Sequence, residues 1–157
     1  PFLAEARARR AQGKVTTFYV CCGPRRPNTF TFSPAAEPVW LGLYAAASEL
    51  DGFLRWAFVN WPRAPLTDTS FGPWPAGDTF LLYPGPRSSV RWEMLRDGIE
   101  EAEKIRLLRA KGAAAAGLTS ARARFDFKSA EKGDPAALAA LVRDTRLAVE
   151  ACARTLK

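Results

Sequence analysis

Asp78 is the carboxylate whose neighbours in the sequence most favour chemistry. A proline-glycine turn precedes it, and an apolar run follows it at once, which predicts a short buried strand over 79–83. The proline-rich loop 84–86 ends this strand, and Ser88 or Ser89 can cap the helix that follows. Ligands of parallel α/β proteins bind at the loops that follow strands. We therefore expect side chains around this segment to line a ligand site.

The composition excludes several kinds of active site. The chain has 157 residues, no histidine and three cysteines. It therefore contains no Ser-His-Asp or Cys-His catalytic group and no zinc site built with histidine. Cys21 and Cys22 are adjacent in a strand-like run, which favours two small buried thiols pointing to opposite faces. Cys152 falls on an apolar helical stripe and is expected in the core. We expect no metal and no cofactor.

The net charge of +7 raises the question of a polyanionic partner. The lysines and arginines are scattered among alanine-rich helical segments, without a cluster interleaved with exposed aromatic residues. The sequence therefore favours a domain that binds no nucleic acid. No apolar segment is long enough to span a membrane. No signal peptide is visible, so the location is unknown, and a periplasmic or secreted location is expected if the full-length protein carries one.

Three segments rich in β-branched and aromatic residues predict strands buried on both faces, as in a parallel sheet. They are 15–22, 53–59 and 79–83. Apolar residues at helical spacing predict helices near 1–13, 33–51, 89–110 and 134–157. The buried stripe of the third helix is expected to consist of Trp92, Leu95, Ile99, Ala102, Ile105 and Leu108. Trp40 lies on the corresponding stripe of the second helix and is expected in the core.

The order of these elements indicates an α/β fold that resembles the C-terminal portion of a (β/α)8 TIM barrel, with about three parallel strands and their helices. Three strands cannot close a barrel, so we expect the earlier strands upstream of Pro1. Residues 1–110 would form the barrel part, and 111–133 a connection. A C-terminal helix, 134–157, would pack on the barrel part.

Five motifs together resemble the C-terminal part of the catalytic domain of glycoside hydrolase family 123. They are TTFYVCC at 16–22, PNTFTFS at 27–33, DGFLRWA at 51–57, WPAGD at 74–78 and YPG at 83–85. The likeness extends over roughly residues 14–109 and is specific because the motifs occur in combination. It implies a β-N-acetylgalactosaminidase-like enzyme, in a family that also has many uncharacterised members.

The resemblance also implies a substrate-assisted, retaining mechanism, in which the 2-acetamido oxygen of the sugar attacks the anomeric carbon. An adjacent Asp-Glu pair supplies the acid and orients the amide in such enzymes. This chain contains no Asp-Glu dipeptide, and Glu100-Glu101 lies on a predicted helix. We therefore expect the acid pair upstream, no catalytic residue in this chain, and no hexosaminidase activity from the chain alone.

The resemblance implies that this chain supplies the part of the site that holds the sugar. Aromatic candidates could stack on a pyranose ring, and polar candidates could hydrogen-bond its hydroxyl groups. The aromatic candidates are Trp56, Trp74 and Tyr83, and the polar ones are Asn28, Asn60, Asp68 and Asp78. Core packing remains an alternative for Trp56 and Tyr83, and capping of a turn for Asp78. The expected partner is a glycan that contains N-acetylhexosamine.

Strand alternation places Trp56 and Arg55 on opposite faces of their strand. We expect Trp56 to face the sugar and Arg55 to find a carboxylate or carbonyl groups behind the sheet, since an unpaired buried charge is costly. Two functions remain open: a partial glycoside hydrolase and a non-catalytic carbohydrate-binding relative. An Asp-Glu pair at a strand end would favour the first.

Overall fold

Helices and two short strands alternate along the computed structural model, which describes residues 2–85, 87–112 and 123–155. In chain order the elements are α1 Phe2–Ala11, β1 Thr17–Tyr19, α2 Ala36–Ala47, β2 Gly52–Leu54, α3 Val90–Ala110, α4 Phe127–Lys132 and α5 Pro135–Arg154. The arrangement is a mixed α/β fold in which α2 connects the two strands. No helix in these ranges combines the length and the apolar character needed to cross a bilayer.

The two strands are parallel neighbours, as the sequence predicted for the segments 15–22 and 53–59. Phe18 of β1 is opposite Phe53 of β2, and Tyr19 is opposite Leu54. Both strands are shorter than predicted, and their outer positions are exposed, at 55% for Tyr19 and 57% for Leu54. The prediction that these strands are buried on both faces is therefore wrong for the described residues. Cys21 is half-buried and Cys22 is exposed, so the expectation of two buried thiols is also wrong.

The segment 79–83 does not form a third parallel strand, which corrects the prediction from the sequence. Phe80 makes an isolated antiparallel bridge with Val59, and the Leu81 amide donates to the Phe58 carbonyl at 2.9 Å. Residues 79–81 are buried as predicted, whereas 82 and 83 are only half-buried. A short apolar run does not by itself define strand direction. The loop before it brings the chain back against residues 58–60, and antiparallel pairing needs no crossover helix.

The core lies between α2, α3 and α5. Gly42 of α2 and Gly98 of α3 mark the closest approach, because a Cβ on Gly42 would lie 2.2 Å from the Gly98 carbonyl carbon. Trp40 is buried in this core, as expected, and stacks on Tyr44. Cys152 is partly buried against the same cluster.

The buried face of α3 is rotated from the predicted stripe. Ile99 is 49% exposed, while Gly98 and Glu101 are buried in its place. The reason is the close crossing of α2, whose backbone lies against Gly98 and turns the neighbouring residue outward. A prediction based on the spacing of apolar side chains cannot detect a glycine whose backbone is buried against another helix.

Both predicted helix caps are observed. The Ser89 hydroxyl accepts from the Trp92 amide at the start of α3, and the Asp134 carboxylate accepts from the Ala136 amide at the start of α5. Part of the predicted connection 111–133 folds as α4, and its residues 113–122 lie outside the described ranges. Residues 156–157 of the predicted last helix also lie outside them.

Candidate functional site

Two exposed aromatic side chains, Tyr19 and Trp56, lie at the carboxyl ends of the neighbouring parallel strands. Tyr19 is the last residue of β1, and Trp56 follows β2 by two residues and is 56% exposed. Interaction with the Cys21 side chain raises the pKa of Tyr19, and the backbone of Trp56 acts in the opposite direction. The position matches the edge of a parallel sheet at which ligands bind.

A buried salt bridge lies beneath this edge. Arg55 Nη2 donates to Asp78 Oδ1 at 2.7 Å and to the Asp78 carbonyl at 2.7 Å, while Arg55 Nη1 donates to Asn28 Oδ1 at 2.7 Å. The two charged side chains are 4% and 0% exposed. Arg55 therefore has a carboxylate partner, as predicted. Its guanidinium links the loop after β1, through Asn28, to the loop before residue 80, through Asp78.

Burial sets the electrostatics of this pair. Desolvation raises the pKa of the Asp78 carboxyl, and the Arg55 guanidinium opposes that shift. Desolvation likewise lowers the pKa of Arg55. The Cys21 thiol donates to Asp78 Oδ2 at 3.6 Å, so both carboxylate oxygens have partners. The arrangement holds the loops in place; Asp78 has neither exposure nor a free oxygen with which to act as an acid or base here.

Asn28 is fully buried and its amide group is fully used. Its Nδ2 donates to the carbonyl groups of Cys21 and Pro24 at 2.9 and 2.6 Å. Its Oδ1 accepts from the Thr29 amide as well as from Arg55. In this arrangement Asn28 shapes the loop after β1 and orients Arg55.

Arg91 at the start of α3 holds the same two loops, the one at Thr29 and the one at residues 77–80. Its Nη1 donates to the carbonyl groups of Thr29, Gly77 and Phe80 at 2.9, 2.7 and 2.7 Å, and the side chain is buried. Its guanidinium also lies 5.1 Å from the centre of the Phe80 ring. The loop conformation around Asp78 therefore depends on a residue of α3.

The remaining predicted residues occupy the surrounding loops. Asn60 is half-buried; its backbone amide donates to the Thr79 carbonyl at 3.0 Å, and its backbone carbonyl accepts from the Thr79 hydroxyl at 2.7 Å. Asp68 is exposed and accepts from the Ser70 amide. Trp74 is 45% exposed. Tyr83 is half-buried against Phe80. The structure joins Asn28 and Asp78 through Arg55, the residue before Trp56. Among the described residues, no hydrogen bond, ion pair or ring contact links these side chains to those of Asn60, Asp68 or Trp74.

Sequence reasoning missed two residues of this site, Tyr19 and Arg91. A tyrosine at the end of a strand, directly before the loop, is a signal that could have identified Tyr19. A basic residue in the first turn of a helix opposes the helix dipole and so indicates a specific partner, which could have identified Arg91. Within the described ranges no three cysteine or carboxylate side chains converge as metal ligands.

The profile of the glycoside hydrolase family 123 catalytic domain matches residues 3–108. The chain belongs to this family. The resemblance seen in the sequence is thereby confirmed, and the strand ends with Tyr19 and Trp56 lie inside the matched range.

A solved family 123 glycoside hydrolase from Clostridium perfringens, described for glycolipid glycan hydrolysis, has the same fold. It superposes with a TM-score of 0.78 over 98% of this chain, at 24% sequence identity. The chain spans 30% of the length of that protein. A search of curated proteins finds no match.

Proposed function

We propose that this chain forms the sugar-holding part of a family 123 active site that acts on a glycan containing N-acetylhexosamine. The observation that carries the proposal is the pair of exposed aromatic side chains, Tyr19 and Trp56, at the carboxyl ends of adjacent parallel strands. Because aromatic faces match the apolar C–H faces of a pyranose, these side chains suit a sugar ring. Their position at the strand ends suits the active site of an enzyme built on parallel strands and helices.

The buried groups behind the aromatic pair support this role. Hydrogen bonds join Arg55 to Asn28 and to Asp78. Because Arg55 directly precedes Trp56 in the chain, these bonds fix the backbone next to Trp56. A binding surface on such a base loses little conformational entropy when the ligand arrives. The exposed candidates Trp74 and Asp68 lie on the loop 61–78 and are proposed as further contacts with the glycan.

The family supplies the proposed chemistry. In the full-length protein the 2-acetamido oxygen of the substrate would attack the anomeric carbon, with an acid pair from elsewhere in the protein. We propose that β1, α2 and β2 are neighbouring units of a larger barrel, since the two strands are parallel and joined by a helical crossover. The glycan of a glycolipid is one substrate to test, because the Clostridium perfringens relative is described for such glycans.

The proposal is tested by titrating the chain with N-acetylgalactosamine and following the ligand by saturation-transfer NMR. Trp56→Ala should weaken binding by about 1–3 kcal/mol, the value of one large apolar contact. Leu147→Ala, which removes an exposed apolar side chain from α5, is the matched control and should bind as the parent does. Equal binding of N-acetylgalactosamine by the parent and by Trp56→Ala would contradict the proposed sugar site.

A non-catalytic carbohydrate-binding relative is the alternative, favoured by the lack of an Asp-Glu dipeptide in this sequence. Both functions predict sugar binding, so hydrolysis separates them. The protein that carries this chain should hydrolyse a chromogenic N-acetylgalactosaminide if the first function is right. Residues 1–157 by themselves should not hydrolyse this substrate. Hydrolysis by this chain alone would show that the catalytic acid lies within it.

A further inference from the structure

Two adjacent thiols follow β1 at the edge where the parallel strands end. Cys22 is exposed, Cys21 is partly buried, and both are free cysteines. Tyr19, the last residue of β1, lies just before them in the chain. The proposed sugar contacts at Tyr19 and Trp56 give no role to either thiol. Cysteine is the residue type at this edge whose covalent state changes readily with the redox conditions.

The backbone bends at these two cysteines. The bend covers residues 21 and 22, and the Cys21 amide donates to the Gly23 carbonyl at 3.3 Å. Adjacent side chains are held on opposite faces only where the backbone is extended, as in a strand. Because β1 ends at Tyr19, this rule does not apply to the two cysteines. The backbone therefore does not keep their sulfur atoms apart.

A disulfide between neighbouring residues has a particular character. Consecutive Cα atoms are about 3.8 Å apart, whereas most disulfides join Cα atoms separated by about 4.4–6.8 Å. A bond outside the usual range stores strain and is more easily reduced. Strained and exposed disulfides are accordingly the reversible ones, while unstrained buried ones are structural. A bond between Cys21 and Cys22 would therefore suit a switch better than a permanent cross-link.

The Cys21 thiol is connected to the buried salt bridge. Its Sγ donates to Asp78 Oδ2 at 3.6 Å, while Asp78 Oδ1 accepts from Arg55. A disulfide sulfur has no proton to donate, so oxidation removes this hydrogen bond. Asp78 is 1% exposed, so bulk water does not replace the lost donor, and a buried acceptor without its partner is costly. Oxidation of Cys21 should therefore weaken the salt bridge that fixes the backbone next to Trp56.

We propose that Cys21 and Cys22 form a reversible disulfide that loosens the Arg55–Asp78 salt bridge and so weakens sugar binding at the strand ends. The effect on sugar binding rests on the proposed function, whereas the disulfide and its effect on the salt bridge do not. The reduced chain, in which the Cys21 thiol donates to Asp78, is the form that binds. The oxidised chain keeps its fold but holds Arg55 less firmly.

A small-molecule disulfide such as glutathione disulfide supplies the oxidant. The Cys22 thiolate attacks one glutathione sulfur and a glutathione thiolate leaves; the Cys21 thiolate then attacks the Cys22 sulfur, and the second glutathione thiolate leaves. The two cysteines lose two electrons and two protons, and one glutathione disulfide becomes two glutathione molecules. Desolvation and the Cys21 side chain raise the pKa of the Cys22 thiol. Because the thiolate is the nucleophile, oxidation should be faster at about pH 9 than at about pH 7.

The test begins with the mass of the 157-residue chain after incubation with glutathione disulfide. An internal disulfide lowers the mass by two hydrogen atoms, and peptide mapping should locate this loss in the peptide that contains both cysteines. Dithiothreitol should restore the starting mass. Cys152→Ser is the matched control and should oxidise as the parent does, because Cys152 lies on α5. A chain that carries only bound glutathione, or only links to a second chain, would overturn the proposal.

Oxidation should lower both stability and sugar affinity. We expect the melting temperature to fall by about 2–4 °C and N-acetylgalactosamine to bind roughly three- to tenfold more weakly, the order of one lost hydrogen bond. A ring between adjacent residues restrains little of the unfolded chain, so the cross-link itself adds little stability. Unchanged melting and unchanged binding in a fully oxidised chain would contradict the proposal.

Single substitutions in the reduced chain assign the effect to the Cys21 thiol. Cys21→Ala removes the donor to Asp78 and should lower the melting temperature as oxidation does in the parent. Cys21→Ser supplies a hydroxyl donor instead and should melt closer to the parent than Cys21→Ala does. Cys22→Ala is the matched control: it keeps the contact with Asp78, should melt like the parent and should form no internal disulfide. Equal melting of Cys21→Ala and Cys21→Ser would show that Asp78 does not depend on this donor and would overturn the proposal.

The reduced parent separates this inference from the proposed function. If it binds N-acetylgalactosamine through Trp56 and the oxidised chain binds equally well, the redox proposal is wrong and the proposed function remains. If the reduced parent does not bind N-acetylgalactosamine, while the disulfide forms and lowers the melting temperature, the proposed function is wrong. The redox control of the salt bridge then stands without it.

Discussion

Arg55 and Asp78 form a salt bridge of 2.7 Å that is almost wholly removed from solvent, between residues 23 positions apart in the sequence. Asn28 completes the coordination of the guanidinium from a third segment. Burying two charges is costly unless each is paired and hydrogen-bonded. The pair therefore fixes the relative positions of three loops, and it also makes each partner indispensable to the other.

Replacement of Asp78 should show this dependence. Asp78→Asn leaves the Arg55 charge buried without a counter-charge, and we expect the free energy of unfolding to fall by about 3–5 kcal/mol. Urea denaturation measures the change. Asp68→Asn is the control, because Asp68 is exposed, and it should stay within about 0.5 kcal/mol of the parent. Equal effects of the two substitutions would contradict a structural role for the salt bridge.

The helix crossing at Gly42 should tolerate no side chain. The Cβ of Gly42→Ala would lie 2.2 Å from the backbone of Gly98, so α2 and α3 would have to separate. We expect a loss of at least about 1–3 kcal/mol, the usual cost of overpacking. Gly52→Ala is the matched control, since its Cβ would meet the Thr17 methyl group at an ordinary 3.6 Å. A melting temperature for Gly42→Ala equal to that of Gly52→Ala would refute the close crossing.

Glu37 should make stability fall as the pH rises. Burial raises its pKa in the folded chain above the usual value of 4.5, so the folded chain keeps a proton that the unfolded chain releases. In the window between 4.5 and the folded-state pKa, the free energy of unfolding falls by up to about 1.4 kcal/mol per pH unit. Glutamine does not titrate. The parent should therefore be more stable relative to Glu37→Gln at about pH 4 than at about pH 7 in urea denaturation. A difference that is constant, or that favours the parent at the higher pH, would contradict the raised pKa.

Trp56 and Trp40 should respond oppositely to truncation. Trp40 is 1% exposed and stacks on Tyr44, so Trp40→Ala should cost about 3–5 kcal/mol of stability. Trp56 is more than half exposed, so Trp56→Ala should cost less than about 1 kcal/mol and should affect sugar binding instead. Chemical denaturation and ligand titration of the two variants give both quantities. An unfolded Trp56→Ala chain would show that this residue belongs to the core.

The fold was predictable where the pattern was long and regular. The helices α2, α3 and α5, the parallel pairing of β1 with β2, and the caps at Ser89 and Asp134 all follow from apolar spacing and helix-end chemistry. The direction of residues 79–83 did not follow, because burial alone does not distinguish a strand from a loop folded onto the core. The rotation of α3 depended on Gly98, a residue without a side chain to mark the contact.

The candidate site was predictable as a set of residue types but not as a set of roles. Asn28 and Asp78 were recognised in the motifs as polar groups near a ligand, whereas the structure uses both of them to hold Arg55. Polar residues in a motif can contact a ligand or can support the loop that does, and residue type does not separate the two. Trp56 is exposed, as a residue that contacts a ligand must be, and its role in sugar binding stays a prediction.

Arg91 has a consequence for anyone who would move this site to another scaffold. One guanidinium nitrogen at the start of α3 donates hydrogen bonds to three carbonyl groups from two segments that are distant in the sequence, one at Thr29 and the other at residues 77–80. A graft of the strand-end loops without the first turn of α3 would leave those carbonyl groups without their shared donor. The transferable unit is therefore the loops together with the helix end, and a lysine in place of Arg91 would not restore it, since an ammonium lacks the planar donor geometry.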